Sequence, residues 1–345
     1  MDYDAIIVGG GIIGLSAAHK LATNGKKVAV LEKKRPGAGA TGLSGGLIRV
    51  FDPEIELAEF AAESYNLFNT NKNIPYKDSF VKTGALYVRD ASTRSETEHI
   101  IQILNQKYSY YSELLNKDQC TELYPNISWQ DSESVIVVHE PNAGYADPLK
   151  ISLSLVDKIE YLGSDILEGT EVSGFVSKSG KIEAVKTNIG SLTAKHFVIA
   201  NGAWAASLDC PESVRSREIQ IHFFQNSKVH PILIDETLGG LYARPCINGS
   251  SLVGVPLLEW DIDPDLKRSI SCAENTRSIA TQRLSSLVDA PLCGGRRGFD
   301  GYTQTNQGYI KKSDFKKNLI WAVGWSGCGF KLAPAIASRI FDIVA

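Results

Sequence analysis

The sequence has no surplus of charge of either sign. Over 345 residues, 36 basic side chains face 39 acidic ones, a formal net charge of −3. Binding to a phosphate backbone needs a basic excess on some face, so nucleic acid is not the expected partner. Short pairs such as Lys311–Lys312 and Lys316–Lys317 read as solvated turns. The six cysteines, at 120, 210, 246, 272, 293 and 328, include no C-x-x-C pair, which argues against a zinc knuckle or a dithiol motif. They are expected to be reduced and mostly buried, because a chain this long can build its core without covalent staples. No apolar stretch reaches the ~18 residues of a spanning helix. The N-terminal Met1-Asp2-Tyr3-Asp4 is acidic where a signal peptide is basic. The expectation is a soluble, cytoplasmic protein with no membrane span and no metal. Repeats and low-complexity tracts are absent. With 43% hydrophobic and 22% charged residues the chain is neither disordered nor fibrous, and its length suggests two domains.

What is there begins at once. Ala5-Ile6-Ile7-Val8 is a short apolar run with the character of a buried parallel strand. Gly9-Gly10-Gly11-Ile12-Ile13-Gly14 follows and fits G-x-G-x-x-G. Residues 15–22 read as a helix ending at Asn24-Gly25, and 27–31 as a second strand with Glu32 at its end. Each position has a mechanical reason. Gly9 permits the tight turn, Gly11 lets a pyrophosphate approach the backbone, and Gly14 lets the helix pack on the strand. The helix N-terminus offers free N–H groups and partial positive charge to phosphates. Glu32 can accept from ribose hydroxyls, and its charge disfavours a 2′-phosphate. Strand, glycines, helix, second strand and acid together predict dinucleotide binding, where a lone glycine triplet would not.

Two further segments extend the pattern. A small-residue loop over 38–49, with Thr41 and Ser44 as hydroxyl donors, lies close behind the acidic strand. Near the C-terminus a strand over 318–323 runs into the glycine-rich turn 324–329 and a final helix, whose positive end would face the cleft. Such a charge favours a reduced flavin, which is negative over its pyrimidine ring. With these residues in view, the chain resembles the FAD-dependent D-amino acid oxidase superfamily, in the branch of glycine oxidase and sarcosine oxidase. The resemblance runs from Tyr3 to the C-terminus. Besides the glycine loop it is carried by Ser44-Gly45-Gly46-Leu47-Ile48-Arg49, Glu140-Pro141-Asn142-Ala143-Gly144-Tyr145-Ala146-Asp147-Pro148, Val198-Ile199-Ala200-Asn201-Gly202-Ala203-Trp204-Ala205 and Ser326-Gly327-Cys328-Gly329-Phe330-Lys331.

The resemblance implies an α/β fold: a Rossmann-like FAD-binding domain with a second α+β substrate domain built on an antiparallel sheet. Residues 1–80, 141–214 and 291–345 are expected in the first domain, and 81–140 and 215–290 in the second. The residue pattern predicts a strand over 80–88, helical segments across 91–119, and an amphipathic helix over 147–162 with Pro148 near its first turn. It also predicts short strands over 166–200, a strand over 251–255 and a helix near 273–288. The implied cofactor contacts are Gly9, Gly11, Ile12, Ile13, Gly14, Glu32, Lys33, Thr41, Ser44, Gly45, Gly46 and Leu47 in the N-terminal part. Val172, Asn201, Gly202 and Trp204 follow, with Trp204 packed beneath the nucleotide. Gly327, Cys328, Gly329, Phe330 and Lys331 complete the set.

The implied reaction oxidises a C–N bond: a hydride passes to flavin, and water hydrolyses the imine. The cofactor carries the difficult step, so no catalytic triad is expected. Candidate site residues are Arg49, Tyr242, Arg244, Asp300 and Lys331. Arg49 would meet the flavin or a substrate carboxylate, or else pair with Asp52 or Glu54. Lys331 would support the reduced ring, or else be a solvated helix lysine. Arg244, on a strand with Tyr242, would clamp a carboxylate bidentately, or else be an ordinary surface arginine.

Two departures stand out. Asp300 falls where many members carry a carboxylate-binding arginine. It would repel a carboxylate and attract an amine, or else turn away to Arg296 or Arg297. The cysteine that tethers flavin in sarcosine oxidases is also missing there, so FAD is expected to be noncovalent. Leu252 falls where sarcosine oxidases have a lysine that assists oxygen, and Cys328 where relatives often carry histidine. Three functions follow. The first is an amine or amino-acid oxidase with oxygen as acceptor. The second is a dehydrogenase or biosynthetic oxidase acting on a tethered or cyclic amine or imine with another acceptor. The third is a non-catalytic FAD-binding subunit. The expected partner is a small-molecule amine or amino acid, with an oligomer or partner subunit left open.

Overall fold

The computed structural model describes residues 2–70, 79–130, 133–208, 210, 213–257 and 259–345. β1 (Tyr3–Val8), α1 (Ile12–Thr23) and β2 (Val28–Glu32) form the opening βαβ unit. Then come α2 (Ala40–Leu43), β3 (Leu47–Ile48), α3 (Ile55–Thr70), β4 (Val81–Lys82), β5 (Ala85–Asp90) and α4 (Arg94–Lys107). Next are β6 (Glu113–Leu115), α5 (Lys117–Leu123), β7 (Val135–Glu140), β8 (Gly144–Tyr145) and α6 (Pro148–Tyr161). β9 (Asp165–Glu168), β10 (Val172–Lys178), β11 (Lys181–Thr187) and β12 (Gly190–Ile199) follow. The chain continues through β13 (Arg215–Phe224), β14 (Ile232–Asp235), β15 (Leu241–Pro245), β16 (Ser251–Gly254) and α7 (Ala273–Ala280). It ends with β17 (Leu292–Tyr302), β18 (Tyr309–Lys312), β19 (Leu319–Val323) and α8 (Gly329–Val344).

Two large sheets share the fold, one mixed with a parallel core and one largely antiparallel. In the first, β9, β2, β1, β12 and β19 run parallel, which is why β1 and β19 read as unbroken apolar runs. α1, α8 and α6 pack together beside this core, burying Leu15, Leu21, Ile151, Leu155 and Ile336. α6 starts as its sequence requires: Pro148 opens it, and the Asp147 side chain accepts from the Leu149 and Lys150 N–H groups. The second sheet runs β17-β13-β16-β15-β14-β5-β7-β6, with β5–β14 its one parallel pair among these. β3, β8 and β4 make a small third sheet between them in sequence.

Several details depart from expectation. β17 pairs along its length with β13, so the segment from 291 first runs in the second sheet and returns to the first only at β18. The helix expected near 273–288 stops at Ala280, with a 3-10 turn at Ser285–Leu287. Between them Arg283 is drawn inward to Asp235 at 2.6 Å. The expected loop over 38–49 contains the short α2 and β3. Among the described residues none of the six cysteines forms a disulfide; Cys120 is buried, and Cys210, Cys246 and Cys328 are partly buried. Cys272 precedes α7 and Cys293 lies on the edge strand β17, and both are exposed.

Candidate active site

A cavity of about 440 Å³ runs from the β1–α1 turn to the faces of β13, β15 and β17. Its first wall is the glycine turn. Gly9 has φ +111°, and a Cβ there would lie 2.5 Å from the Ala200 carbonyl oxygen, so neither the turn nor the approach of β12 tolerates a side chain. α1 begins at Ile12 with no side-chain cap and no acid in its first turn. The Ile12 N–H donates to Thr41 Oγ1 at 2.9 Å, which pins α2 against the helix start. Glu32 sits at the end of β2, with its carboxylate accepting from the Gly10 N–H at 2.7 Å and the Lys34 N–H at 2.8 Å. Both hydroxyls expected to serve the cofactor accept from the protein's own backbone: Thr41 from Ile12, and Ser44 from Gly46.

Most of the expected cofactor residues border this cavity. Gly9, Gly11, Ile12, Ile13, Glu32 and Lys33 line one end. Thr41, Ser44, Gly45, Leu47 and Arg49 line the floor, and Val172, Asn201, Gly202 and Trp204 a side. Gly327, Cys328, Gly329, Phe330 and Lys331 close the far end at the start of α8, which also lacks a side-chain cap. Gly14 and Gly46 do not face it. A Cβ on Gly14 would strike the Gly9 carbonyl oxygen, and one on Gly46 the Ala146 carbonyl oxygen, so both serve backbone packing. Trp204 donates to Asp265 at 2.9 Å and lies under Lys33, whose Nζ is 4.2 Å from its ring centroid.

The second half of the chain closes the cavity with Tyr242, Asp300, Tyr302 and Arg217. Tyr242 lies over Gly254 on the paired strand, where a Cβ would come 2.2 Å from its ring. Asp300 does not pair with Arg296 or Arg297. Arg296 donates to the Gly42 carbonyl, and Arg297 grips Glu218 on β13. The Asp300 carboxylate instead accepts from the Gly301 N–H at 2.8 Å and the Gly327 N–H at 3.0 Å, tying β17 to the α8 turn. Burial raises its pKa above the ordinary value, and the two N–H bonds only partly offset this.

The cations resolve differently from expectation. Lys331 is not solvated: its Nζ lies 2.8 Å from Asp52 Oδ2, with both side chains under 10% exposed. Arg49 reaches the same carboxylate at 3.8 Å, donates to the Phe51 carbonyl and stacks on Tyr87. Burial pushes the Asp52 carboxyl up, but Lys331 and Arg49 outweigh it and hold the group below its usual range. Arg244 is neither a clamp nor a surface residue. It is buried outside the cavity, donates to the Gly45 and Pro245 carbonyls, and lies 4.1 Å over the Tyr145 ring centroid. Its fork is consumed in joining β15 to the loop before β3. Leu252 is fully buried on β16 and does not border the cavity.

The walls fit an elongated anionic cofactor. Two uncapped helix starts face one cavity, and both offer positive ends and free N–H groups. Along the same walls Asn201 Oδ1 and Trp325 Nε1 are buried with no partner among the described residues. Comparison with known proteins decides what this means. The family model described as FAD dependent oxidoreductase (DAO) matches residues 4–343. The chain belongs to this family. A protein named glycine oxidase, from Bacillus licheniformis, is 25% identical over 99% of this chain and 93% of its own length. Sarcosine oxidase subunit beta from an Arthrobacter species is 25% identical over 99% and 87%. Among solved structures, L-proline dehydrogenase from P. horikoshii superposes with a TM-score of 0.88 at 24% identity, covering 99% and 93% of the two chains. The matched family is one of FAD-dependent oxidoreductases. No helix among the described residues is long and apolar enough to cross a membrane.

Sequence reasoning missed three residues of the site. Asp52 appeared only as a salt-bridge partner for Arg49. Asp265 reaches Lys33 and Lys34 across 232 and 231 positions, and no local motif marks it. Arg217 lies in a strand whose alternation points it to the cavity, but a single alternating arginine carries no signal of its own.

Proposed function

We propose that this chain oxidises a C–N bond of a small amine or amino acid, with FAD held noncovalently along the cavity and oxygen as the acceptor. The observation that supports this best is the single cavity joining the uncapped start of α1 to Asp300, Tyr242 and Lys331. Bound FAD supplies the hydride acceptor. The protein's own residues must take the substrate as its cation, remove a proton and keep water out. An ammonium group cannot release hydride from its neighbouring carbon, because its nitrogen has no lone pair to form the imine. Asp300 is placed to take that proton, and a carboxyl raised by burial suits the task. Loss of the proton to Asp300 and of hydride from carbon leaves an iminium cation, which water hydrolyses. Tyr242, Tyr302 and Trp325 make the surroundings partly apolar, which lowers the cost of deprotonating the amine. Burial pushes the Cys328 thiol up, keeping it protonated and a poor nucleophile, which supports noncovalent FAD.

One observation favours a second reading, a dehydrogenase with another acceptor. The cavity lysines 33, 34 and 331 are all ion-paired, so among the described residues no free ammonium is left there to assist oxygen. Anaerobic mixing of the holoenzyme with secondary amines and amino acids tests the shared chemistry. Loss of the oxidised flavin's visible absorbance with at least one supports it, and no loss with any overturns it. Fast reoxidation by air favours oxygen, whereas slow reoxidation by air and fast reoxidation by an artificial dye favours the dehydrogenase. Acid precipitation checks the attachment: a coloured pellet would reject noncovalent FAD.

A further inference from the structure

Five lysine and arginine side chains border the cavity: Lys33, Lys34, Arg49, Arg217 and Lys331. Lys33 and Lys34 share Asp265, and Arg49 and Lys331 share Asp52. Arg217 alone of the five forms no ion pair among the described residues. Its Nε donates to the Leu257 carbonyl at 2.9 Å, which fixes the stem and, among the described residues, leaves the outer nitrogens without a hydrogen bond. The guanidinium sits against an edge-to-face pair of rings, 4.8 Å from the Trp260 centroid and 5.2 Å from that of Tyr302. These two aromatic contacts and the Leu257 hydrogen bond hold the head group in place.

Arg217 on β13 is registered directly opposite Asp300 on β17. Directly opposed residues of an antiparallel pair project to the same face, with Cβ atoms about 5 Å apart. Both side chains border the cavity, yet no ion pair joins them. Two opposite charges side by side and unjoined present a matched pair of receptors. A guanidinium edge binds a carboxylate through two parallel N–H bonds, and a carboxylate binds an ammonium.

We propose that Arg217 is the receptor for a carboxylate on the substrate and that, with Asp300 as the receptor for its ammonium, it makes the site specific for a zwitterion. The inference rests on the function proposed above and narrows its substrate to an amino acid. It also revises the sequence-based expectation that Asp300 would turn a carboxylate away, since the repulsion from Asp300 is countered one strand over. Arg49 and Arg244, the two arginines expected to meet a carboxylate, are committed elsewhere.

The test uses the oxidised holoenzyme and three small ions that it cannot oxidise. Trimethylglycine carries both charges, acetate the carboxylate alone, and tetramethylammonium the cation alone. Dissociation constants are read by calorimetry and by the visible difference spectrum of the flavin. Arg217→Met is expected to weaken trimethylglycine and acetate at least tenfold and to leave tetramethylammonium unchanged. Asp300→Asn is expected to weaken trimethylglycine and tetramethylammonium but not acetate. Arg217→Gln, with a shorter polar side chain, provides a second variant, and each variant is first checked for its FAD content and melting temperature. Wild-type affinity for acetate and trimethylglycine in the Arg217 variants overturns the proposal. So does equal loss of all three ions, or failure of wild type to bind either carboxylate. If the holoenzyme is bleached only by amines lacking a carboxylate, this inference falls while the proposed function stands. If nothing bleaches it, the function falls, and the binding arms still decide the role of Arg217.

Discussion

At Asp300, burial and two backbone N–H groups compete over one proton, and burial prevails. A base is useful only when deprotonated, so flavin reduction should speed up as pH rises through a value above the ordinary carboxylate range. Asp300→Asn should slow it about a hundredfold or more and erase that limb of the profile. Stopped-flow reduction across pH checks both, and an unchanged limb in the variant rejects the assignment. Asp52 presents the opposite case, a buried acid kept ionised by Lys331 and Arg49. Lys331→Met would leave its charge largely uncompensated and should cost about 3–5 kcal/mol in denaturant unfolding. Adding Asp52→Asn to that variant should recover much of the loss. Because the Asp52 carboxyl is held below its unfolded value, its contribution is present above that value and is lost as pH falls through the folded one. Arg49 and its possible partner Asp52 were legible as neighbours in the sequence. That Lys331, 279 positions from Asp52, completes the group was not.

The two helices whose starts face the cavity behave as elements rather than as single residues. At Gly11, an added Cβ would meet only Thr41 Oγ1, at 3.4 Å, and would otherwise project over the start of α1. Gly11→Val should therefore raise the FAD dissociation constant at least tenfold, about 1.4 kcal/mol. The melting temperature of the cofactor-free protein should change little, and fluorescence titration beside a thermal scan separates the two effects. Inside the same helix His19 is buried, and its pKa is lowered to about 4, chiefly by burial and then by Lys158. Below its ordinary value of about 6.5 the unfolded chain takes up a proton that the folded helix refuses. Stability should thus fall between about pH 6.5 and pH 4, with His19 contributing about 3 kcal/mol of the loss. His19→Gln should lose correspondingly less over that window in parallel urea titrations. At this scale the sequence was most readable. The opening βαβ unit and the Asp147-Pro148 helix start depend on contacts within a few residues. The overlong helix near 273–288 failed because Arg283 is pulled to Asp235, a partner 48 positions away.

For the molecule as a whole, the cavity joins the two large sheets, and Asp265 from the second half closes over Lys33 and Trp204 from the first. A cofactor bound there binds only the folded chain, so FAD at a hundred times its dissociation constant should add about 2.7 kcal/mol of stability. Thermal unfolding with and without FAD measures this. A shift that ADP reproduces in full would place all the binding at the α1 end and none at the α8 turn. The return of β17 to the second sheet also belongs to this scale. It is what brings Asp300 opposite Arg217 and against the Gly327 N–H at once.

Residue order alone determined the dinucleotide turn, the acid that follows it, the apolar parallel strands and the glycine-rich turn into the final helix. Each of these is set by backbone sterics and hydrophobic period over a few adjacent residues. Only the tertiary structure decided which charges are spent and which are free. Asp52 neutralises Lys331 and Arg49, Arg244 is consumed by backbone carbonyls, and Arg217 keeps an open fork beside Asp300. Ion pairing depends on distances of a few ångströms between residues far apart in the chain, and no local pattern encodes those distances.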